Sequence, residues 1–462
     1  MKRKMRLQSN SILFLSNRSL AKAAKEFPES NYDPRPFFKF EIVHQSSKSM
    51  ARVGRIHTPH GSIDTPNYVP VATNAALKGV DFRYASSQLI FSNTYHLMLQ
   101  PGTEVIRDAG GIHKFTGRNK PFITDSGGFQ VFSLANDLLF GEKHRNPLSE
   151  LKRNASKPYW DNHDDNIVEI SEEGVQFISY RDGSKIALTP ENVVDAQKDI
   201  GADIILPLDE LPAHGISRDA LAESVDRSHR WETRSLQRHL ENVNNQAMYS
   251  IVHGGLDVEL RRKSIDYLSS LPFDGYAIGG SLGKTRGVRF SDCVCFVILC
   301  MSHFVHDIYE SHMVHFGVPF IKKDLDELLQ WMMPLFDQGH RYEKPRHLLG
   351  IADEESIRNA VPRGLDTLDS CYPTKLGRRG TLLTKDGLLR IKRGKCKTEH
   401  GISIDKGCKC RTCQQYDRAY LNHLFTTKGN EYVAVMLGTE HNLHFMDELM
   451  TELRLDILSN RL

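Results

Sequence analysis

The chain has 462 residues and a mass of 52.5 kDa, more than one average domain and enough for a large buried core with additions. Hydrophobic residues make up 40% and charged residues 25%, globular values that exclude a disordered or fibrous chain. The net charge of +3, from 60 Lys+Arg against 57 Asp+Glu, excludes nothing by itself, because the charge is unevenly spread.

Residues 1–25 hold seven basic residues (Lys2, Arg3, Lys4, Arg6, Arg18, Lys22, Lys25) and no acid. With their Ser, Asn and Ala they read as part of a basic, disordered tail over 1–38. A transit peptide and an untranslated upstream extension are the other readings. From residue 39 the chain reads as folded. Eight short apolar runs of β type recur: Tyr68–Thr73, Leu89–Tyr95, Pro121–Gly127, Ala202–Glu210, Met248–Gly255, Gly275–Gly280, His347–Ala352 and Leu365–Ser370. Helical patterns separate several of them, over Pro190–Ile200, Asp219–His239, Val258–Leu271 and Glu354–Val361. Near-continuous apolar strands alternating with helices predict a buried parallel sheet. Eight units suit an irregular (β/α)8 TIM barrel better than an open doubly wound sheet. No glycine fingerprint for a dinucleotide or phosphate loop follows the first strand.

Such a barrel needs roughly 250 residues, and the excess is placed in two loop insertions. One is polar and irregular, at about 140–165. The other, at about 285–342, contains the apolar run Cys293–Met301 and the amphipathic segment Leu325–Phe336. That apolar run is half the roughly 20 residues of a membrane-spanning helix, so no membrane partner is expected. The barrel is thus expected over 39–379, a zinc-binding subdomain over 380–441, and a last barrel helix over 442–462.

In a β/α barrel the reactive side chains sit where strands end. Here the third strand ends in Asp125-Ser126-Gly127-Gly128-Phe129-Gln130. The fourth ends in Asp209-Glu210, the fifth in His253-Gly254-Gly255, the sixth in Gly279-Gly280 and the eighth in Asp369. A single acid at a strand end is usually a helix cap or a solvated charge. Three carboxylate positions and two Gly-Gly pairs on one rim point instead to a flat ligand and to chemistry at a sugar anomeric carbon. Residue types alone leave a glycoside hydrolase open.

Cys408-Lys409-Cys410-Arg411-Thr412-Cys413 places three of the eight cysteines within six residues. Few cysteines in a long chain without a secretory signal indicate reduced thiols, a cytoplasmic setting and a metal rather than a disulfide. Three thiolates suit a structural tetrahedral zinc lacking one ligand. Cys396, His400, His423, His441 and His444 are the candidates for the fourth. Around them, residues 375–428 carry fourteen Lys+Arg against four acids. With +7 in the tail and +10 in this lobe, the other residues sum to −14. A basic lobe beside a carboxylate-lined mouth is an electrostatic footprint for nucleic acid.

These motifs resemble the tRNA-guanine transglycosylases, or queuine tRNA-ribosyltransferases. The matching stretches are Ser92–Gly102 (SNTYHLMLQPG), Thr124–Leu134 (TDSGGFQVFSL), Phe273–Gly280 (FDGYAIGG), Gly364–Gly380 (GLDTLDSCYPTKLGRRG) and Cys408–Leu424 (CKCRTCQQYDRAYLNHL). They run in family order from about residue 39 to the end. The resemblance implies exchange of the wobble guanine of tRNAs with GUN anticodons, those for Asp, Asn, His and Tyr, for a 7-deazaguanine base. It implies Asp369 as nucleophile, forming a covalent ribosyl-enzyme, and Asp125 as acid and base. It further implies Asp209 as the reader of the guanine-like edge, Phe129 and Leu349 as the base sandwich, and Gly280 and Ser281 as backbone contacts. Lys375, Arg378 and Arg379 would touch the anticodon. Cys408, Cys410, Cys413 and His441 would hold one structural Zn2+ per chain, and the enzyme is expected to be a homodimer.

Two departures stand out. His253 replaces the glutamine that usually helps recognise the base. The loop Gly280-Ser281-Leu282-Gly283-Lys284-Thr285 lacks the usual glutamate, and Gly283 stands where bacterial members tend to carry valine. Gly283 makes room for a cyclopentenediol ring, which predicts queuine rather than its aminomethyl precursor. The alternatives are a non-catalytic tRNA-binding accessory subunit, which would lack the nucleophile, and the archaeal type, which usually carries further C-terminal RNA-binding domains.

Overall fold

Each apolar run becomes a strand where its side chains find cover on both faces. The computed structural model describes residues 35–132, 167–179, 181–212, 216–280, 319–427 and 431–462. It opens with an antiparallel meander of β1 (Lys39–Gln45), β2 (Arg52–Thr58) and β3 (Gly61–Thr65). The sheet proper then begins with β4 (Asn67–Pro70), β5 (Ile90–Ser92) and β6 (Phe122–Thr124). A second antiparallel sheet follows, of β7 (Ile167–Ile170), β8 (Val175–Ile178) and β9 (Lys185–Leu188). The main sheet resumes with β10 (Ile204–Ile205), β11 (Ala247–Val252), β12 (Gly275–Ile278), β13 (Arg346–Leu348) and β14 (Thr367–Ser370).

The main sheet has eight strands in the order β4-β14-β13-β12-β11-β10-β6-β5, and its ladders are parallel. A bridge between Val71 and Phe91 brings its two edges together, so the sheet nearly closes into a barrel. Each of the eight expected runs contributes one strand. Among the helices, Pro190–Ile200 has the predicted bounds, and Arg218–Glu241, Val258–Ser269 and Glu354–Ala360 differ from theirs by one or two residues at an end.

Side chains alternate across a strand with period two. Val69, Ile123, Tyr249, Ile251 and Ala277 fill the barrel interior with Phe38, Ile56 and Ile63 from the amino-terminal segment and meander. Tyr68, Phe122, Met248, Val252, Leu348 and Leu368 face outward into the helical shell. The same parity carries Asp125, His253, Gly279, His347 and Asp369 onto the interior face at the carboxyl ends. At the other end, His60 and His113 stack 3.4 Å apart. His60 Nδ1 lies 2.8 Å and His113 Nε2 3.0 Å from the two oxygens of Asp203. This clasp ties the β2–β3 turn to the foot of β10.

The structure departs from the expected organisation in three places. Leu325–Phe336, expected inside a loop insertion, belongs to the helical shell. The helix Pro319–Met332 and the turn after it put Leu325, Leu329, Met332, Met333 and Phe336 into the outer core. The expected boundary at 441/442 falls inside one helix, Tyr432–Leu458. Ala434 and Leu437 of that helix serve the core of the cysteine-bearing lobe, while Leu443, Met446 and Leu453 serve the barrel. Neither antiparallel sheet was expected, because their short strands carry charges and lack continuous apolar runs. The insertion at 140–165 and the part of the second up to residue 318 lie outside the described residues. No helix among the described residues is long and apolar enough to cross a membrane.

Candidate active site and metal centre

Asp369 lies on β14 and is 5% exposed. Its Oδ1 accepts the backbone N–H of Gly350 at 2.9 Å and faces His347 Nε2 at 3.1 Å. His347 Nδ1 lies 2.8 Å from the Thr367 hydroxyl. An ionised carboxylate only accepts, so this chain assigns the imidazole hydrogen to Nε2 and leaves Nδ1 to accept from Thr367. Both contacts fall on Oδ1.

Asp125, one residue beyond β6, is also buried. Its Oδ1 accepts Thr94 N–H at 2.8 Å, and its Oδ2 accepts Asn93 Nδ2 at 2.7 Å and Gln130 Nε2 at 3.0 Å. Burial raises its pKa above the ordinary carboxyl value, against the pull of those donors. Among the described residues Asp209 has no comparable set of donors. Burial, and then the like charge of Asp125, push its carboxyl up to about 7. Two acids in one mouth whose environments differ this way suit separate roles.

The sign of the Asp209 shift yields a prediction. The folded state holds this proton to higher pH than the unfolded chain does. Its contribution to stability is therefore present at acid pH and is lost between about pH 4 and about pH 7. Asp209→Asn is expected to raise the melting temperature at pH 8, by an effect on the order of 1–3 kcal/mol, and to leave it nearly unchanged at pH 4. Thermal melts of both proteins across that range check this. Equal melting temperatures at pH 8 would contradict it.

His253 directly follows β11, buried beside Asp209, with its Nε2 3.5 Å from Asp209 Oδ2. The two glycines after it let the following helix close on the strand. Gly254 has φ +133°, and a Cβ there would lie 2.6 Å from Arg261 N. Arg261 then binds the carbonyls of Val252 and Gly255. Gly280 lies next to His253, Leu349 packs partly buried against the barrel interior, and Phe129 is exposed. Ser281 and Gly283 lie outside the described residues. Asp125, Asp209 and His253 are thus brought together, and Asp369 ends an interior-facing strand of the same rim.

The helix Tyr372–Arg379 starts directly after Asp369-Ser370 and carries Lys375 and Arg378, both half-buried, and the exposed Arg379. It packs on the helix Tyr432–Leu458 through Gly377 and Gly438. A Cβ on either would lie 2.7 Å from the other's carbonyl oxygen. The close approach holds the basic side chains beside the mouth.

Below it lies the cysteine-bearing lobe, with the hairpin β15 (Thr381–Thr384) and β16 (Gly387–Arg390) and its own small core. Of the candidate fourth ligands, His441 is the one that presents a ring nitrogen to all three sulfurs. Its Nδ1 lies 3.8, 3.4 and 3.4 Å from Sγ of Cys408, Cys410 and Cys413. The four could hold a metal ion. His441 Nε2 donates to the Leu383 carbonyl at 2.7 Å, which fixes the tautomer that turns the Nδ1 lone pair toward the three sulfurs. Asn442, next in sequence, accepts Leu383 N–H and donates to the carbonyls of Pro373 and Thr381. The metal centre is thereby tied to the helix bearing Lys375 and Arg378.

Sequence reasoning gave no role to Asn93, Gln130, His347 or Glu232. The first two stand inside matched motifs and His347 inside a predicted strand, so a signal existed. Glu232 stands in a helix where only its place among Ser228, His229, Ser235 and Leu236, all buried, singles it out.

A family model described as queuine tRNA-ribosyltransferase matches residues 46–152, 162–308 and 317–462. A queuine tRNA-ribosyltransferase of Protochlamydia amoebophila is 47% identical over 424 residues, covering 91% of this chain and 95% of its own. Those of Chlamydia caviae and Chlamydia trachomatis serovar D are 42% and 43% identical, each covering 92% of this chain and 99% of its own.

Proposed function

Since this chain belongs to the queuine tRNA-ribosyltransferase family, we propose that it exchanges the wobble guanine of GUN-anticodon tRNAs, those for Asp, Asn, His and Tyr, for a 7-deazaguanine base. The observation that carries this reading is the barrel mouth. Asp125 and Asp369 end interior-facing strands of the rim, Asp209 joins them from the loop after β10, and a basic helix starts right behind Asp369.

In this reading Asp369 Oδ2 attacks C1′ of the wobble nucleotide. The new O–C1′ bond forms as the C1′–N9 bond breaks, and Asp125 gives its proton to the departing guanine. The incoming base returns a proton from N9 to Asp125 and displaces Asp369, so two inversions give net retention. Hydrogen bonds from Gly350 and His347 hold Asp369 in line. The ionised form of Asp209 accepts N–H donors of the base, and an analogue without them leaves it unpaired. Phe129 and Leu349 cover the ring faces, and Gly280 and Ser281 contact the base through their backbone. Lys375, Arg378 and Arg379 meet the anticodon.

We read the metal as one structural Zn2+ per chain. Tetrahedral ligands with Zn–S of about 2.3 Å and Zn–N of about 2.1 Å stand about 3.6 Å apart, within the 3.4–3.8 Å range at His441. A homodimer, one subunit catalysing while its partner steadies the tRNA, completes the proposal. Retention of both Asp369 and Asp125 favours a catalytic chain over an accessory subunit.

The test is incubation with unmodified tRNA of GUN anticodon and labelled guanine, queuine or aminomethyl precursor. Incorporation is expected with queuine faster than with the precursor. Incorporation of none of the three would overturn the proposal. Faster use of the precursor would overturn only the role given to Gly283.

A further inference from the structure

Glu232 lies in the helix Arg218–Glu241, 0% exposed, behind the predicted base-recognition residues. Its Oε2 accepts the Ile251 N–H at 2.9 Å. Its Oε1 lies 3.4 Å from His253 Nε2, a contact longer than an ordinary hydrogen bond, and neither of these two buried atoms has a hydrogen-bond partner among the described residues. Among the described residues no Lys or Arg pairs with Glu232. The groups facing the pair are Asp209 from the loop after β10, Arg261 from the helix Val258–Ser269, and His229 from the helix of Glu232 itself. Arg261 is engaged by backbone carbonyls. His229 faces the Ser264 hydroxyl.

A carboxylate sealed in this position without a cation is costly. Burial, with Asp209 adding its like charge, holds Glu232 well above the ordinary carboxyl range. Burial and then Arg261 push His253 down to about 3, so the imidazole is neutral. A neutral carboxyl whose Oε2 accepts from the backbone carries its hydrogen on Oε1, and His253 Nε2 is the acceptor it faces. The second ring nitrogen, Nδ1, lies at Gly280, where a Cβ would stand 3.2 Å from it.

We infer that Glu232 is a positioning residue for base recognition: it donates a hydrogen bond from Oε1 to His253 Nε2, so that His253 carries its hydrogen on Nδ1 and offers it to an acceptor on the bound base. The arrangement gives His253 the donor that a glutamine amide would supply at this position. It also spares Asp209 from pairing with His253, leaving its carboxylate for the N–H donors of the base. The inference rests on the base-exchange reading above.

Glu232→Leu and Glu232→Gln test it, compared with the native enzyme by base-exchange kinetics against pH. Leu removes the donor and frees the His253 tautomer, and is expected to raise KM for the base about tenfold with a smaller change in kcat. Gln keeps its amide oxygen for Ile251 N–H and turns N–H to His253. It is expected to restore KM to within about threefold of native with the same pH profile. Native KM in the Leu variant would overturn the inference. So would a Gln variant as weak as Leu, or one whose acid limb has moved, since either means that Glu232 acts ionised. Should the Leu variant not fold, the pH profile of the Gln variant decides alone. Absence of exchange by the native enzyme would instead overturn the underlying function.

Discussion

Asp369→Asn is expected to lower base exchange by at least about 10³-fold while leaving tRNA binding largely intact. The carboxamide has the shape of the carboxylate, and its oxygen can keep both hydrogen bonds that Oδ1 accepts from Gly350 and His347. The pocket therefore survives. Only the atom at Oδ2 changes, from a nucleophilic oxygen to an amide nitrogen that cannot form the ribosyl ester. Exchange of labelled guanine into tRNA and an electrophoretic mobility shift of the complex, measured on the same preparation, separate the two effects. Native-rate exchange in this variant would move the nucleophile to another carboxylate of the rim. Loss of tRNA binding together with exchange would show that Asp369 holds the fold of the mouth rather than the reaction.

Removing the metal, by a chelator or by Cys410→Ser, is expected to unfold the lobe around β15 and β16 and to reduce tRNA binding at least about tenfold. A structural zinc supplies on the order of 10 kcal/mol to a small lobe, and this lobe has little else. Its core is small, and the helix that carries Cys413, Arg411–Gln415, has five residues. The effect should extend to the tRNA face. His441 and its neighbour Asn442 join the cysteine cluster to Leu383, Thr381 and Pro373, and Pro373 belongs to the helix that bears Lys375 and Arg378. Metal content, circular dichroism and tRNA affinity should fall together in Cys410→Ser. A variant that loses its metal yet melts and binds like the native protein would refute the structural role.

The architecture was legible because a strand buried on both faces writes its own signal. In β11, Ala247–Val252 is apolar apart from Ser250, and no such run was misread. The second insertion was misjudged at its carboxyl end. The stripe Leu325-Leu329-Met332 reports an apolar surface nearby, not which surface. The charged strands of the meander left no period strong enough to read.

The carboxylates and the thiols were legible as residue types at strand ends and in one short motif. Their partners were not. By residue type alone Cys396, His400, His423, His441 and His444 were equal candidates for the fourth ligand, and the family resemblance pointed to His441. His441 is selected by the helix face it occupies and by the Leu383 carbonyl that turns its ring. Glu232 looked like any acid in an amphipathic helix until packing sealed it against His253.

By itself the sequence determined the eight strands, the acids at or beyond the carboxyl ends of three of them, the thiolate trio and the split between a basic lobe and an acidic remainder. Each is a local pattern of burial, spacing or charge. Only the tertiary structure decided which distant groups meet: Asp209 with His253 and Glu232, His347 with Asp369, His441 with the three sulfurs. Strand parity and helix facing set those encounters, and both depend on how the barrel closes rather than on any one segment.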